Sequence, residues 1–418
     1  MRSRFNNFYT TNSTYGSFYE DIKNQVKQDQ EQQRRQSNQY EYSHPNYSNN
    51  YHNNNNSNAN TINRAKTPIL PLHDSSIAGS ISSSLTGLIN LGNTCYINTS
   101  LQNLIHCTPF IARFLEVSNN ILQRKTNSTP ISEAFYELLL QIYDNNNNSQ
   151  EDYINPGSFV EKFTSLHNQF YGNQEHDTQE FCRFLLQDFN CELNQVTNPS
   201  IYKKEMAYDR DKKKMFKNYK NDCHTKENSI ITDTFIGYFS FEYNCECGFK
   251  EFSFSQFLDL PVQMNSGING FDLFQMLQNN FYKKSYVDMG ENCRFCKRTS
   301  KKEEIMRVAY LPQVLIISLQ RINPKNGMKN VAPVRFYEGL DLREIIDAEI
   351  SDGSSTKYNL FAVTNHIGEI NTGHYFSYIK IDKNWYCFED SKVYKIGYQI
   401  NMRSNEVCTL FYIRSNVK

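Results

Sequence analysis

Apolar positions along the chain fall into three regimes. Residues 1–84 are rich in Asn, Ser, Gln and Tyr, with polar stretches such as Asn53–Asn56 and Gln30–Gln36 and no hydrophobic period. Such a segment buries too little apolar surface to offset the entropy lost on ordering, so it reads as a disordered tail. Its Asn/Gln/Tyr bias would also suit weak self-association, but a passive tail is the simpler reading. Order is expected to begin at Leu85–Gly87. From Tyr96 to Cys107, apolar residues Ile97, Leu101, Leu104 and Ile105 recur at helical spacing, and Pro109 is expected to stop that helix. Asp177 to Leu193 reads as a second helix, with Phe181, Leu185 and Phe189 spaced four residues apart. Tyr202 to Lys220 is Lys-rich and amphiphilic, the pattern of a solvated helix or an insertion.

From Phe235 onward the period shortens. Val314–Leu319 is a continuous apolar run suited to a buried strand, and Tyr358–Thr364, His374–Ile381, Trp385–Phe388 and Thr409–Ile413 follow as strands. Helices first and strands later favour an α+β fold.

Composition then narrows the classes. At roughly 100–200 residues per domain, 418 residues allow two or three domains, or one large domain with a tail. Lys+Arg and Asp+Glu both total 44, so no global field favours nucleic acid or an anionic membrane. Met1 to Thr10 lacks an apolar signal core, and the longest apolar run, near Leu311–Leu319, is too short to span a bilayer. Eleven cysteines without a secretory signal read as reduced thiols, metal ligands or a nucleophile, in an intracellular (cytoplasmic or nuclear) protein.

Two short segments have the residues of a nucleophilic site. Gly87 to Tyr96, ending Asn93-Thr94-Cys95-Tyr96, leads a Gly-containing loop into the first helix. A thiol at a helix N-terminus meets the positive end of the macrodipole and unpaired N–H groups, which favour the attacking thiolate. Asn90, on the same loop, is placed to turn its amide toward a developing oxyanion. The bland alternative is a small buried Cys95 behind a capping Asn93 or Thr94. Downstream, Gly373-His374-Tyr375 opens a strand, and Trp385 to Ser391 forms the next. A turn around Asp382-Lys383-Asn384 would return Glu389 or Asp390 beside His374, as a base needs an orienting carboxylate. His366, by contrast, reads as a structural histidine.

The chain resembles the ubiquitin-specific protease family from about Leu85 to Arg414. Gly87–Leu104, with Ser100-Leu101-Gln102, resembles its Cys box, and Gly373 through Trp385 to Asp390 its His box. Glu175-His176-Asp177-Thr178-Gln179-Glu180-Phe181 and Leu311-Pro312 through Leu319-Gln320-Arg321 resemble two further blocks, in the family's order. The resemblance implies a papain-like fold of thumb, palm and fingers over residues 85–416, with the fingers near 235–310. It also implies a thiol-dependent deubiquitinase. Cys95 would attack the carbonyl of ubiquitin's terminal glycine, His374 would serve as base and then acid, and Asn90 would serve the oxyanion. The family's usual orienting position holds Glu389, one methylene longer than its Asp or Asn; Asp390 matches the next position and is the expected orienter.

Asp177 and Glu180 read first as a capping box, and by resemblance as carboxylates for the arginines of ubiquitin's tail. His176 is expected to pack rather than ionise. Tyr375 is either a wall of the channel that admits a Gly-Gly end or an ordinary strand aromatic. Cys245, Cys247, Cys293 and Cys296 match the family's zinc ribbon, with C-x-C replacing the first C-x-x-C and Cys223 or His224 as substitute ligands. The expected metal is structural zinc, with no cofactor for catalysis. The expected partners are ubiquitin and ubiquitinated proteins, not nucleic acid or membrane. An inactive ubiquitin-binding scaffold and a general papain-like protease are the competing readings.

Overall fold

The structure is a computed structural model describing residues 75–122, 129–148, 152–196, 208–264, 270–281, 284–287, 292–298, 301–323, 327–369 and 372–415. The tail expected over 1–84 lies outside them up to position 74, as do residues 202–207 of the Lys-rich stretch.

Order starts before Leu85. Ser75–Ser82 is a helix whose Ile77, Ala78 and Ile81 are buried against the helices Thr108–Leu122 and Pro130–Asn148. Eight residues rich in Ser and Gly cannot hold a helix alone, so packing supplies what propensity lacks. Deleting residues 1–84 would strip Ile77 and Ile81 from the core and is expected to cost about 3–6 kcal/mol by the usual value of a buried aliphatic side chain. Deleting residues 1–74 removes none of this packing. Urea unfolding of the two truncations checks the difference.

The Cys95–Ile105 helix forms as its periodicity predicts. Pro109, however, sits in the first turn of the following helix, Thr108–Leu122, where a missing N–H costs nothing. Phe110, Phe114, Phe135 and Phe189 pack with ring centroids 5.0 to 6.1 Å apart, a core that joins three helices. The helix Thr178–Glu192 buries Phe181, Leu185 and Phe189, as expected. Its Arg183 grips buried Asp259 through Nε at 2.7 Å and Nη2 at 3.0 Å, fixing the helix to the start of the Leu260–Gln263 strand.

An eight-stranded sheet forms the centre. From one edge it runs Lys392–Gly397, Asn384–Glu389, Gly373–Ile381, Lys357–Gly368, Val407–Arg414, Val314–Gln320 and Leu260–Gln263, with Gly339–Asp341 beside Lys357–Gly368. All pairs are antiparallel except Leu260–Gln263 with Val314–Gln320. Each strand expected from the sequence is present. Helices on one side and this sheet on the other make the thumb and palm of an α+β papain-like fold.

A separate four-stranded sheet, ordered Lys250–Phe257, Gly237–Asn244, Lys302–Tyr310, Lys284–Val287, forms the fingers. The Lys-rich segment is more than a solvated helix. Lys212–His224 docks Met215 and Phe216 on Tyr238, Phe254 and Ile350. Lys212 itself is buried and pairs with Asp347 at 2.6 Å and Glu242 at 3.3 Å. Two carboxylates around one ammonium let a lysine enter the interior, a pairing that residue spacing does not reveal.

Candidate active site

Cys95 is the first residue of its helix, and the loop before it is shaped by one amide. Asn90 Oδ1 accepts from the N–H groups of Gly92 at 2.9 Å and Thr94 at 3.2 Å. Gly92 and Asn93 take positive φ, 104° and 55°, so the chain turns sharply and delivers the thiol to the helix start. The Cys95–Ile105 helix packs against the Gly373–Ile381 strand. The Cys95 sulfur receives a hydrogen bond from the backbone of Tyr375, the residue after His374.

The expected thiolate is not what this environment favours. Burial pushes the Cys95 thiol up, outweighing the lowering by the Tyr375 and Tyr96 N–H groups, and the charges of Asp390 and Glu175 push the same way. Alkylation of Cys95 by iodoacetamide in the free protein is therefore expected to be slower at pH 7 than that of N-acetylcysteine. Its rate should still be rising at pH 9, since a raised pKa leaves less thiolate at every pH below it. Rate against pH, with Cys95 modification followed by mass spectrometry, checks this.

His374 opens its strand opposite Ile367, and the turn Asp382-Lys383 sends the chain back as expected. The two acids part company there. Ser377 pairs with Phe388, so alternation places Glu389 on the face of His374, while the strand ends before Asp390. Glu389 Oε1 lies 3.4 Å from His374 Nε2, with both side chains partly open to solvent. Asp390, the expected orienter, instead directs its carboxylate to the Cys95 loop and helix. With Ser391 it forms the two-residue turn between Glu389 and Lys392, at φ 51°. Its carboxylate accepts from Asn90 Nδ2 at 2.9 Å and Asn98 Nδ2 at 2.8 Å. Glu389 is thus the acid beside His374, and Asp390 the acid on the Asn90 amide.

Two residues take roles that the sequence does not announce, Asn98 and Glu175 of the Asp177 block. Asn98, fully buried on the Cys95 helix, ties Asp390 to the carbonyls of Leu88 and Ile89. A polar residue one turn after the nucleophile on a buried face was its only signal. Glu175 accepts from the N–H of Gly373 at 2.8 Å, bringing the Asp177 block to the start of the His374 strand. No local pattern announces that contact.

Asp177 caps its helix, accepting from Gln179 N at 2.7 Å and Glu180 N at 3.2 Å. Glu180 is open to solvent on one side, yet the surrounding protein pushes its carboxyl up by desolvation, and Asp177 adds repulsion. His176 packs edge-on against Tyr96 and Phe170, as expected, and burial pushes its pKa down. Tyr375 packs against His366 at a 40° tilt, with ring centroids 4.4 Å apart.

The finger cysteines also converge. Cys245, Cys247, Cys293 and Cys296 place all four sulfurs within 4.8 Å of one another. Cys247 and Cys293 stand 3.7 Å apart, and Cys245 and Cys296 3.9 Å. Four sulfurs at about 2.3 Å from a tetrahedral zinc stand about 3.8 Å apart, so these residues fit that metal. The short C-x-C is accommodated by a tight turn closed by Gly248 at φ 84°, with Gly248 N–H donating to the Cys245 carbonyl. Cys223 and His224 are not needed as ligands; Cys223 packs beside the Met215 cluster instead.

Among the described residues, no helix is long and apolar enough to cross a membrane. A family model described as "Ubiquitin carboxyl-terminal hydrolase" matches residues 86–412. Ubiquitin carboxyl-terminal hydrolase 2 of Rattus norvegicus is 30% identical over 78% of this chain and 54% of its own length. The protein of that name from Gallus gallus is 29% identical over 78% of this chain and 93% of its own. The chain thus spans about half the length of the mammalian relatives it matches. Among solved structures, the SAGA Ubp8/Sgf11/Sus1/Sgf73 DUB module bound to ubiquitin aldehyde gives a TM-score of 0.63 at 22% identity, covering 81% of this chain and 71% of that one. The same module bound to monoubiquitin gives 0.64, also at 22% identity, with the same coverage. With the model spanning nearly all of the described fold, the chain belongs to the ubiquitin carboxyl-terminal hydrolase family, as a ubiquitin-specific protease.

Proposed function

We propose that this protein is a thiol-dependent deubiquitinase that hydrolyses the peptide or isopeptide bond at the C-terminal glycine of ubiquitin. The observation that supports it most is the delivery of a helix-start thiol to the backbone beside His374, inside a domain of this family. Cys95 attacks the glycine carbonyl while His374 takes the thiol proton. The tetrahedral oxyanion meets the Asn90 amide, which Asp390 holds. On collapse, His374 returns the proton to the departing lysine amine, leaving a thioester that water then hydrolyses with His374 as base. Glu389 keeps the imidazole turned toward the thiol.

Asp177 and Glu180 are read as contacts for basic residues of the ubiquitin tail, and Tyr375 as a wall beside the Gly-Gly end. The partners are ubiquitin and ubiquitinated proteins; nucleic acid and membrane are not part of the reading. The catalytic domain is taken as residues 85–416 together with the Ser75–Ser82 helix. Eleven free cysteines suit a reducing, cytoplasmic or nuclear setting. Labelling with ubiquitin bearing a C-terminal electrophile tests the reading. An adduct on Cys95 is expected; a folded protein that forms none is a scaffold or another kind of protease.

The finger cluster is read as a structural zinc site, with no cofactor used in catalysis. Elemental analysis of protein purified without chelator is expected to find about one zinc per chain. Cys293→Ser should lower its occupancy and destabilise the fingers by several kcal/mol. Metal-free protein of full stability would sink the zinc assignment.

A further inference from the structure

We propose that Lys329 is a positioning residue for His374, acting through His366 and Gly368. The proposal rests on the assignment of His374 as the base.

Lys329 lies on the segment that follows the Val314–Gln320 strand. That segment folds back on itself: Ile322 bridges Lys329, and Asn330 donates to the Arg321 carbonyl at 2.7 Å. Its root is pinned by Arg321, a buried guanidinium that donates to the carbonyls of Val407 at 2.6 Å, Asn330 at 2.9 Å and Ala332 at 3.1 Å. Lys329 is therefore presented from a fixed base.

Its ammonium reaches two acceptors on the strand next to that of His374. Nζ lies 2.6 Å from His366 Nδ1 and 2.7 Å from the Gly368 carbonyl. An ammonium has donors only, so Nδ1 of His366 accepts and the ring proton sits on Nε2. His366 is thus a neutral histidine, and burial, Lys329 and His374 together push it down to about 4.

The strand register shows what this grip controls. His366 pairs with Tyr375, Ile367 with His374, and Gly368 with Gly373. The two groups held by Lys329 therefore flank the residue opposite His374. The other side of the His366 ring lies against Gly373, where a Cβ would fall 2.1 Å from Nε2. The ring also packs against Tyr375, tilted at 40° with centroids 4.4 Å apart. The ring is thus wedged among a lysine, the residue before the base and the residue after it. Loss of the ammonium would free the hairpin on which the imidazole stands, at a point where misplacement by 1 Å can cost about a hundredfold in rate.

The charged and titratable groups around the Lys329–His366 pair are His374 and Tyr375 from one neighbouring strand, Cys408 on the other strand with Glu406 just before it, Glu369 beyond Gly368, and Arg321 at the root of the folded-back segment. Only Lys329 is changed in the test. Lys329→Met is expected to lower kcat on a ubiquitin C-terminal amide at least tenfold with less than a twofold change in KM. Lys329→Arg, which keeps cationic donors, should recover part of that loss. A raised KM at unchanged kcat would make Lys329 a substrate contact, and equal kinetics would leave it no role; either overturns the proposal. A second measurement does not depend on the substrate. In protein labelled with nitrogen-15 at histidine, His366 should remain neutral to about pH 5 with its proton on Nε2. In Lys329→Met its titration should move upward. Identical His366 titrations would remove the contact and the proposal with it. A wild-type protein that leaves the ubiquitin amide uncut would instead sink the deubiquitinase reading, while the histidine titration still decides the Lys329 contact.

Discussion

Cys95→Ala is expected to reduce turnover of a ubiquitin C-terminal amide by about 10⁶-fold, the scale seen when a nucleophile of an acyl-transfer enzyme is removed alone. Affinity for ubiquitin should change little. The thiol is 4% exposed, so the tail of a bound ubiquitin would meet mainly the walls around it, and alanine keeps the Cβ that shapes the helix start. Because burial and the charges of Asp390 and Glu175 keep the sulfur a neutral thiol, alanine removes no charge, and stability at pH 7 should change little. Steady-state kinetics with calorimetric binding of ubiquitin check both halves. A variant that turns over at the wild-type rate would end the assignment of Cys95, and one that no longer binds ubiquitin would show that the sulfur matters to the site's shape.

What was legible in the sequence was what local period and short spacing encode. Phe181, Leu185 and Phe189 declared their helix because a buried face repeats every turn. The Val314–Gln320 strand declared itself because it is buried on both sides and has no polar alternation. The helix at Ser75–Ser82 was not legible, since its three buried residues sit among serines and only tertiary contact makes them a face. The first helix does end before Pro109, at Ile105, but the sequence does not show that Pro109 opens the next helix, where its missing N–H is harmless. The lysine helix shows its charge plainly in the sequence, but Lys212 turns inward to Glu242 on a distant strand and Asp347 in a distant loop.

The site shows the same division. Cys95 and His374 were recognisable from loop, helix and strand starts. The expected activation of the thiol failed because helix position speaks only for the backbone, while burial and two remote carboxylates decide the sign. Contacts separated by hundreds of residues, such as Glu175 with Gly373, leave no trace in local pattern.

The assignment of the two acids leads to the second large effect. Asp390→Ala is expected to lower kcat about 10²–10³-fold, roughly 2.7–4 kcal/mol, as does loss of an oxyanion donor elsewhere. Glu389→Ala should lower it only about tenfold, because its 3.4 Å approach to His374 is long and open to solvent. The order is the one the sequence suggests, but the reason differs. Asp390 acts through Asn90 and Asn98, which it holds at 2.9 and 2.8 Å, and its removal releases the amide that faces the oxyanion. A double-mutant cycle separates the two paths. Asn90→Ala should add little to Asp390→Ala, since both disable the same amide. Asn90→Ala with Glu389→Ala should be close to additive, since they act on the oxyanion and on the base. Additivity between Asn90 and Asp390 would mean that Asp390 acts elsewhere. A loss from Glu389→Ala larger than that from Asp390→Ala would show that the long contact in the free protein closes into a strong one when substrate is bound.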